Sequence, residues 1–335
     1  MANSNANGSM TVKAILNGQE VELTYNESTG SYEGKITAPS FSSYNLDEHK
    51  VGVTLTATDE AGNTTTVTKD TKETGSSTVG YANLGVRVKE TKAPIINMST
   101  PGADAYLTTA TPDIAFTVID NTVGTVTYDG TSISGDSGIT SDNVSFSLKN
   151  SDGTDYSNRI TLSSVATDGG LSFSSTFSDK NKLDDGTYII SVSATDNDGN
   201  VSSSTRQFIV DVVAPSLDIT SPAEGSVVNN STVIITGVTS DITSGLKSVV
   251  AVITNGSSSN TIQLNVESDG SFNQSVKLSE GTNTIAITAT DQAGSSTTVS
   301  RTIVVDTIAP TFTSIVVDKS EVDINGQIVI AVKVV

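Results

Sequence analysis

The sequence predicts an all-β chain of tandem β-sandwich domains on three observations: a composition of strand and turn residues, apolar side chains at every second position, and a pattern that recurs along the chain. Thr, Ser, Val, Ile, Asn, Asp and Gly dominate the 335 residues, and charged residues make up 16%, as pleated segments joined by tight turns require. In the segment Thr284 to Thr290, Ile285, Ile287 and Ala289 share one face while Thr284, Ala286, Thr288 and Thr290 share the other. That is the period of a strand with one buried face. A chain of this length is expected to divide into several small cores.

The repeat fixes the organisation. Ala-Pro occurs at Ala93-Pro94, Ala214-Pro215 and Ala309-Pro310, and Asp120 and Asp241 each lie 26 residues beyond the preceding Ala-Pro proline. The closing halves also align: Gly186 to Asp196 sits over Gly281 to Asp291, with Gly199 and Gly294 three residues later and Asp211 and Asp306 fifteen residues later. One unit therefore ends where the next begins. The expected domains are 11–93, a divergent copy; 94–214, a copy with an insertion; 215–309; and 310–335, the opening of a further unit that continues beyond this segment. Residues 1–10 are expected to be a flexible arm.

Within the first unit, Val12, Ala14 and Leu16 precede Asn17-Gly18, and Val21, Leu23 and Tyr25 follow, which predicts a two-residue antiparallel hairpin. Its route to Pro94 is lengthened through Thr71 to Asn83, read as a loop or extra strand. The second unit exceeds the third by 26 residues between its matching halves, within the Gly- and Asp-rich stretch 122–170; an added hairpin or long loops are expected there. Proline at each junction fixes φ and keeps the preceding alanine extended, so short, stiff connectors and an elongated array are expected.

Composition also excludes chemistry. A formal net charge of -19 opposes phosphate backbones and anionic lipid, so neither nucleic acid nor membrane insertion is expected. With no Cys and one His, His49, thiol catalysis, zinc sites and histidine triads lack their donors; His49 reads as a solvated loop residue. The N-terminus has neither a basic region nor an apolar stretch of the secretory kind. Paired carboxylates could serve glycoside hydrolysis, but here they recur in repeated turn contexts, which argues against a catalytic pair. Among aromatics, Tyr106, Tyr128, Tyr156 and Tyr188 are the one cluster to weigh as a sugar platform, with Tyr188 placed on a strand where core packing is the simpler role.

Ala-Thr-Asp-x-Ala-Gly, followed by Val-Asp-Thr-x-Ala-Pro-Thr, resembles the bacterial immunoglobulin-like repeats of surface adhesins and tail-associated phage proteins, most closely over 215–310. Met10 to Gly18, Tyr32-Glu33-Gly34 and Ile36 to Pro39 resemble the N-terminal domain of phage and prophage proteins of this kind. The resemblance implies tandem immunoglobulin-like β-sandwich domains and no enzymatic activity. Together with the N-terminus, which shows no export signal, it leads to the expectation of a structural protein of a phage virion, tail or baseplate associated, assembled in the host cytoplasm, with other virion proteins and further copies of itself as partners. The alternative it implies is a cell-surface adhesin or spacer binding a host glycan or protein.

Seven acids recur where strand ends and domain joints are expected: Asp120, Asp196, Asp198, Asp211, Asp241, Asp291 and Asp306. Converging carboxylates suit Ca²⁺, a hard cation that takes oxygen ligands. The other reading makes Asp196 and Asp291 the first residues of turns closed by Gly199 and Gly294. Both readings stand at this point.

Overall fold

The computed structural model describes residues 10–71, 81, 84–177 and 181–335. They contain β-strands and isolated 3-10 turns, with no α-helix among them. They fall into two compact units, one of residues up to 105 with 111–183 and 187–208, the other of 106–110, 184–186 and 209–335. Residues 1–9 of the expected arm 1–10 and most of the detour 71–83 lie outside the described residues.

The chain opens with β1 (Thr11–Leu16), β2 (Gln19–Asn26), β3 (Ser31–Glu33), β4 (Val51–Thr58), β5 (Thr64–Val67) and β6 (Gly85–Val86). They form one sheet in the order β3-β2-β1-β4-β5, with β6 also on β4. Leu16 pairs with Gln19, and Asn17 and Gly18 between them have φ of 48° and 72°, so the Asn-Gly hairpin is made as the sequence requires. Leu16, Phe41, Val51 and Val88 form the buried core on this sheet.

The next region contains β7 (Ile95–Thr100), β8 (Ala105–Leu107), β9 (Ala115–Ile119), β10 (Thr125–Tyr128), β11 (Thr131–Ser134), β12 (Val144–Asn150), β13 (Ile160–Thr167), β14 (Gly170–Phe177), β15 (Gly186–Thr195) and β16 (Val201–Val210). Two four-stranded sheets, β12-β15-β16-β8 and β13-β14-β9-β7, make the sandwich, and β10-β11 stands apart as a hairpin. Phe116 stacks on Phe173 at 4.7 Å, and Tyr188 on Phe208 at 5.6 Å. Tyr188 is buried, in the packing role expected of it.

The β10-β11 hairpin lies within the stretch 122–170, and it does something the repeat pattern does not announce. Val123, Val126, Tyr128 and Ile133 pack on the core of the N-terminal sheet. The Tyr128 hydroxyl accepts a hydrogen bond from the Gly52 N–H at 3.0 Å. A single sheet leaves one apolar face open, and this hairpin supplies the second layer. The fold of residues 11–93 is thus completed by residues that belong, in sequence, to the following repeat.

The third region holds β17 (Ser216–Ser221), β18 (Val227–Val228), β19 (Thr232–Ser240), β20 (Leu246–Asn255), β21 (Ser258–Gln263), β22 (Ser271–Lys277), β23 (Gly281–Asp291) and β24 (Ser296–Val305). Its sheets are β17-β19-β22 and β18-β24-β23-β20-β21. Ile285, Ile287, Ala289 and Ile303 lie in its core, on the face that the alternation predicts. Finally, β25 (Phe312–Val317) and β26 (Ile330–Val334) form a two-stranded ribbon. Phe312 and Ile315 are more than 60% exposed there, since two strands enclose no core.

Candidate metal centre

Tight turns at the strand ends aim the acids. After β23, the Gly294 N–H donates to the Asp291 carbonyl at 3.3 Å and the Asp291 N–H to the Ser295 carbonyl at 3.0 Å. After β15, Gly199 donates to Asp196 at 3.2 Å and Asp196 to Asn200 at 3.0 Å. Gly199 and Gly294 have φ of 96° and 101°, which glycine adopts without steric cost. Asp196 and Asp291 thus open turns, and Asp59 opens a third of the same kind with Gly62 and Asn63.

The carboxylates of these turns are used differently. Asp196 Oδ1 accepts from the N–H groups of Asp198 and Asn200, and Oδ2 accepts from the Asn200 side-chain amide at 2.8 Å. In the later turn, Ser295 replaces the asparagine. Asp291 Oδ1 accepts from Gly294 and Ser295 N–H, while its buried Oδ2 has no partner among the described residues.

Two acidic groups form among the described residues. Glu90, Asp120 and Asp136 make one, and Asp211, Asp241 and Asp291 the other; each residue places a carboxylate oxygen within 4.8 Å of those of its two companions. Asp120 follows β9 and Asp241 follows β19, at the same distance from their prolines. Glu90 and Asp211 also correspond, each four residues before Pro94 or Pro215. Each group therefore joins a linker acid to an acid at a strand end of the sandwich that comes after it. Asp291 completes the second group. In the first, Asp196 is turned to Asn200, and Asp136, at the exit of the inserted hairpin, takes the third place.

Hydrogen bonds hold the acids but leave oxygens over. Asp136 accepts from the N–H groups of Thr122, Val123 and Gly124 at 2.7–2.8 Å. Asp120 Oδ2 accepts from Gly138 N–H at 2.7 Å, and Glu90 Oε1 from Ser137 N–H. Glu90 Oε2 and Asp120 Oδ1 are buried without a partner among the described residues. In the second group, the Ser244 N–H is shared by Asp211 Oδ2 and Asp241 Oδ1, and the Ser244 hydroxyl oxygen is also buried and unpartnered among the described residues.

Such a gathering is electrostatically costly. Unit negative charges about 4.8 Å apart repel by roughly 3 to 4 kcal/mol per pair at an effective dielectric of about 20. Burial and the neighbouring Glu90 push the Asp120 carboxyl up to about 7, against the Gly138 hydrogen bond. Burial also raises Glu90, against its Ser137 hydrogen bonds. A bound cation relieves the same repulsion. The donors present are oxygens alone, a set that suits hard cations rather than zinc.

Of the seven acids singled out from sequence, Asp211, Asp241 and Asp291 meet in one group and Asp120 enters the other. Asp196 lies close enough to Asp120 and Glu90 to raise both. Asp198 is used elsewhere. Its Oδ2 accepts from the Ser42 hydroxyl and from Glu90 N–H, and its Oδ1 faces Arg87 at 3.4 Å. It fastens the linker to the turn. Asp306 is exposed and accepts from Ile308 N–H, in neither group. Glu90 and Asp136 were not singled out from sequence; the offset from Pro94 marks Glu90, while no repeat position marks Asp136. The four tyrosines do not form a platform: Tyr188 is core, Tyr128 covers the N-terminal sheet, Tyr156 sits edge-on to Tyr188, and Tyr106 is exposed. His49 is exposed and stacked on Tyr44.

Residues 215–307 match the family described as glucodextranase, domain B. No curated protein matches the chain in sequence. Among solved structures, the fibronectin(III)-like modules of Clostridium thermocellum CbhA are similar over 63% of this chain and 94% of theirs, at 19% identity and a TM-score of 0.33. A tetra-tandem repeat from the extending region of a large adhesion protein is similar over 97% of this chain and 80% of that one, at 19% identity and 0.36. Titin domains A168-A170 are similar over 87% and 86%, at 11% identity and 0.38.

Proposed function

We propose that this chain is a non-enzymatic spacer, a series of immunoglobulin-like sandwiches that sets the separation between the parts joined to its two ends. The observation that carries this reading is the use made of its acids. The same turn and the same linker position recur along the chain, and their carboxylates accept hydrogen bonds from backbone N–H groups of turns. Repetition of that kind suits a mechanical element and not a catalytic centre, which a chain needs once.

The carrier we propose is a phage virion, on the resemblance of the first unit to prophage domains, with other virion proteins and further copies of the chain as partners. A bacterial surface adhesin carries a spacer equally well, and the repeated turn and linker motifs of 94–310 resemble adhesin and phage repeats alike, so the adhesin is kept as the second reading. Immunogold labelling of phage lysates and intact cells with antibody to residues 215–309 separates them. Label on particle tails supports the first, label on envelopes the second, and label confined to the soluble cell interior contradicts both. Pulling single molecules tests the spacer role itself: the 95 residues of 215–309 should release roughly 30 nm in one discrete step. Smooth extension without steps would contradict it.

A further inference from the structure

We infer that the two acidic groups are equivalent binding sites for a hard divalent cation of the calcium type, each closed by a linker carboxylate, Glu90 in the first and Asp211 in the second. Acids near one another are common on proteins, and an acidic cluster alone would not carry this. The second observation is the state of the buried oxygens. Among the described residues, Glu90 Oε2, Asp120 Oδ1 and Asp291 Oδ2 are without hydrogen-bond partners, on residues that are 8%, 2% and 0% exposed. Buried carboxylate oxygens are ordinarily satisfied, and those left open mark the place of a ligand.

The third observation is that the arrangement is built twice from corresponding positions. Linker acids four residues before proline meet acids 26 residues after it, in two groups of the same span. In the first group the third member changes from the turn aspartate to Asp136, yet the count of three acids is kept. A purely local role in turn closure would not need that replacement, because Asp196 already closes its turn through Asn200.

Basic groups near the first site do not take the cation's place. Arg87 and Lys89 both engage Asp198, through its carboxylate and its carbonyl oxygen. Calcium accepts irregular oxygen shells that mix carboxylates, carbonyls and water, whereas magnesium demands a tighter octahedron. Occupancy would tie each linker to the sandwich after it, so the connections would stiffen where the cation is plentiful and loosen where it is scarce.

The test is calorimetric titration of CaCl₂ into the chelator-stripped full chain. Two sites per chain are expected, with dissociation constants between about 10⁻⁶ and 10⁻³ M. Asp120→Asn should remove one site, Asp291→Asn the other, and the double variant both, each with loss of the matching part of the calcium-induced rise in melting temperature. These near-isosteric changes also relieve repulsion, so the cation-free variants should melt no lower than the parent. Should Asp120→Asn fail to fold, Glu90→Gln reads the same site, since its amide oxygen keeps the Ser137 contact. No binding by the parent at about 5 mM calcium, or a stoichiometry that the variants leave unchanged, overturns the inference.

Discussion

The carboxylate of Asp198 accepts the backbone N–H of Glu90 at 3.1 Å, so the turn after β15 grips the linker that precedes β7. The same oxygen also accepts from the Ser42 hydroxyl, and Asp198 is buried. Asp198→Ala should therefore strand two buried donors and cost about 2–4 kcal/mol. Half-exposed Arg87 adds little to that figure, because its charge is largely solvated. Urea denaturation measures the loss; a change below about 0.5 kcal/mol would refute the grip.

Tyr128 makes the corresponding test for the inserted hairpin. Tyr128→Ala should remove a ring that packs beside Phe41 at 6.0 Å and cost about 2–3 kcal/mol. Hydrogen exchange should quicken in β1 and β4, far away in sequence, as well as in the hairpin itself. Exchange confined to residues 122–136 would show that the N-terminal sheet stands without this cover.

The sign of the pH response is set by Asp120. Its carboxyl is raised from 3.8 to about 7 in the fold, so the protonated form is the one that folding favours. In chelator, the stability this residue contributes is full below about pH 4. It is lost as pH rises through about 7. Parent protein should therefore lose melting temperature between about pH 5 and about pH 8 more steeply than Asp120→Asn does. Parallel profiles would contradict the assignment.

In the third sandwich, Asn283 is fully buried and its side chain meets Ser279 N–H, Ser279 C=O and Gly281 C=O at 2.8–3.1 Å. Those bonds shape the approach to β23. Asn283→Ala should cost about 2–3 kcal/mol by leaving backbone groups unpaired. Equilibrium unfolding checks it, and a neutral result would mean that water replaces the amide.

Local chemistry was legible in the sequence wherever neighbours decide it. Asn17-Gly18 makes its hairpin through backbone preference alone, and Asp196 and Asp291 open turns because the glycine that closes each one is three residues away. Ile285, Ile287 and Ala289 reveal their face by alternation. Groups that the chain brings together across distance were not legible. Asp198 reads as one more acid of a joint, yet its partner Ser42 is 156 residues away. Tyr128 reads as a surface aromatic on an inserted loop, and only the open face of the N-terminal sheet gives it a core to fill. Asp136 enters the first acidic group because that hairpin docks where it does. Glu90 was within reach, since its offset from Pro94 equals that of Asp211 from Pro215, but a glutamate at an aspartate position hides the match.

Hydrogen exchange read by mass spectrometry with and without calcium tests the central claim most directly. Peptides spanning residues 88–92 and 209–213 should both gain protection when calcium is added, and each should lose that gain in the variant of its own site. Equal exchange in the two conditions at both linkers would show that these carboxylates bind no cation.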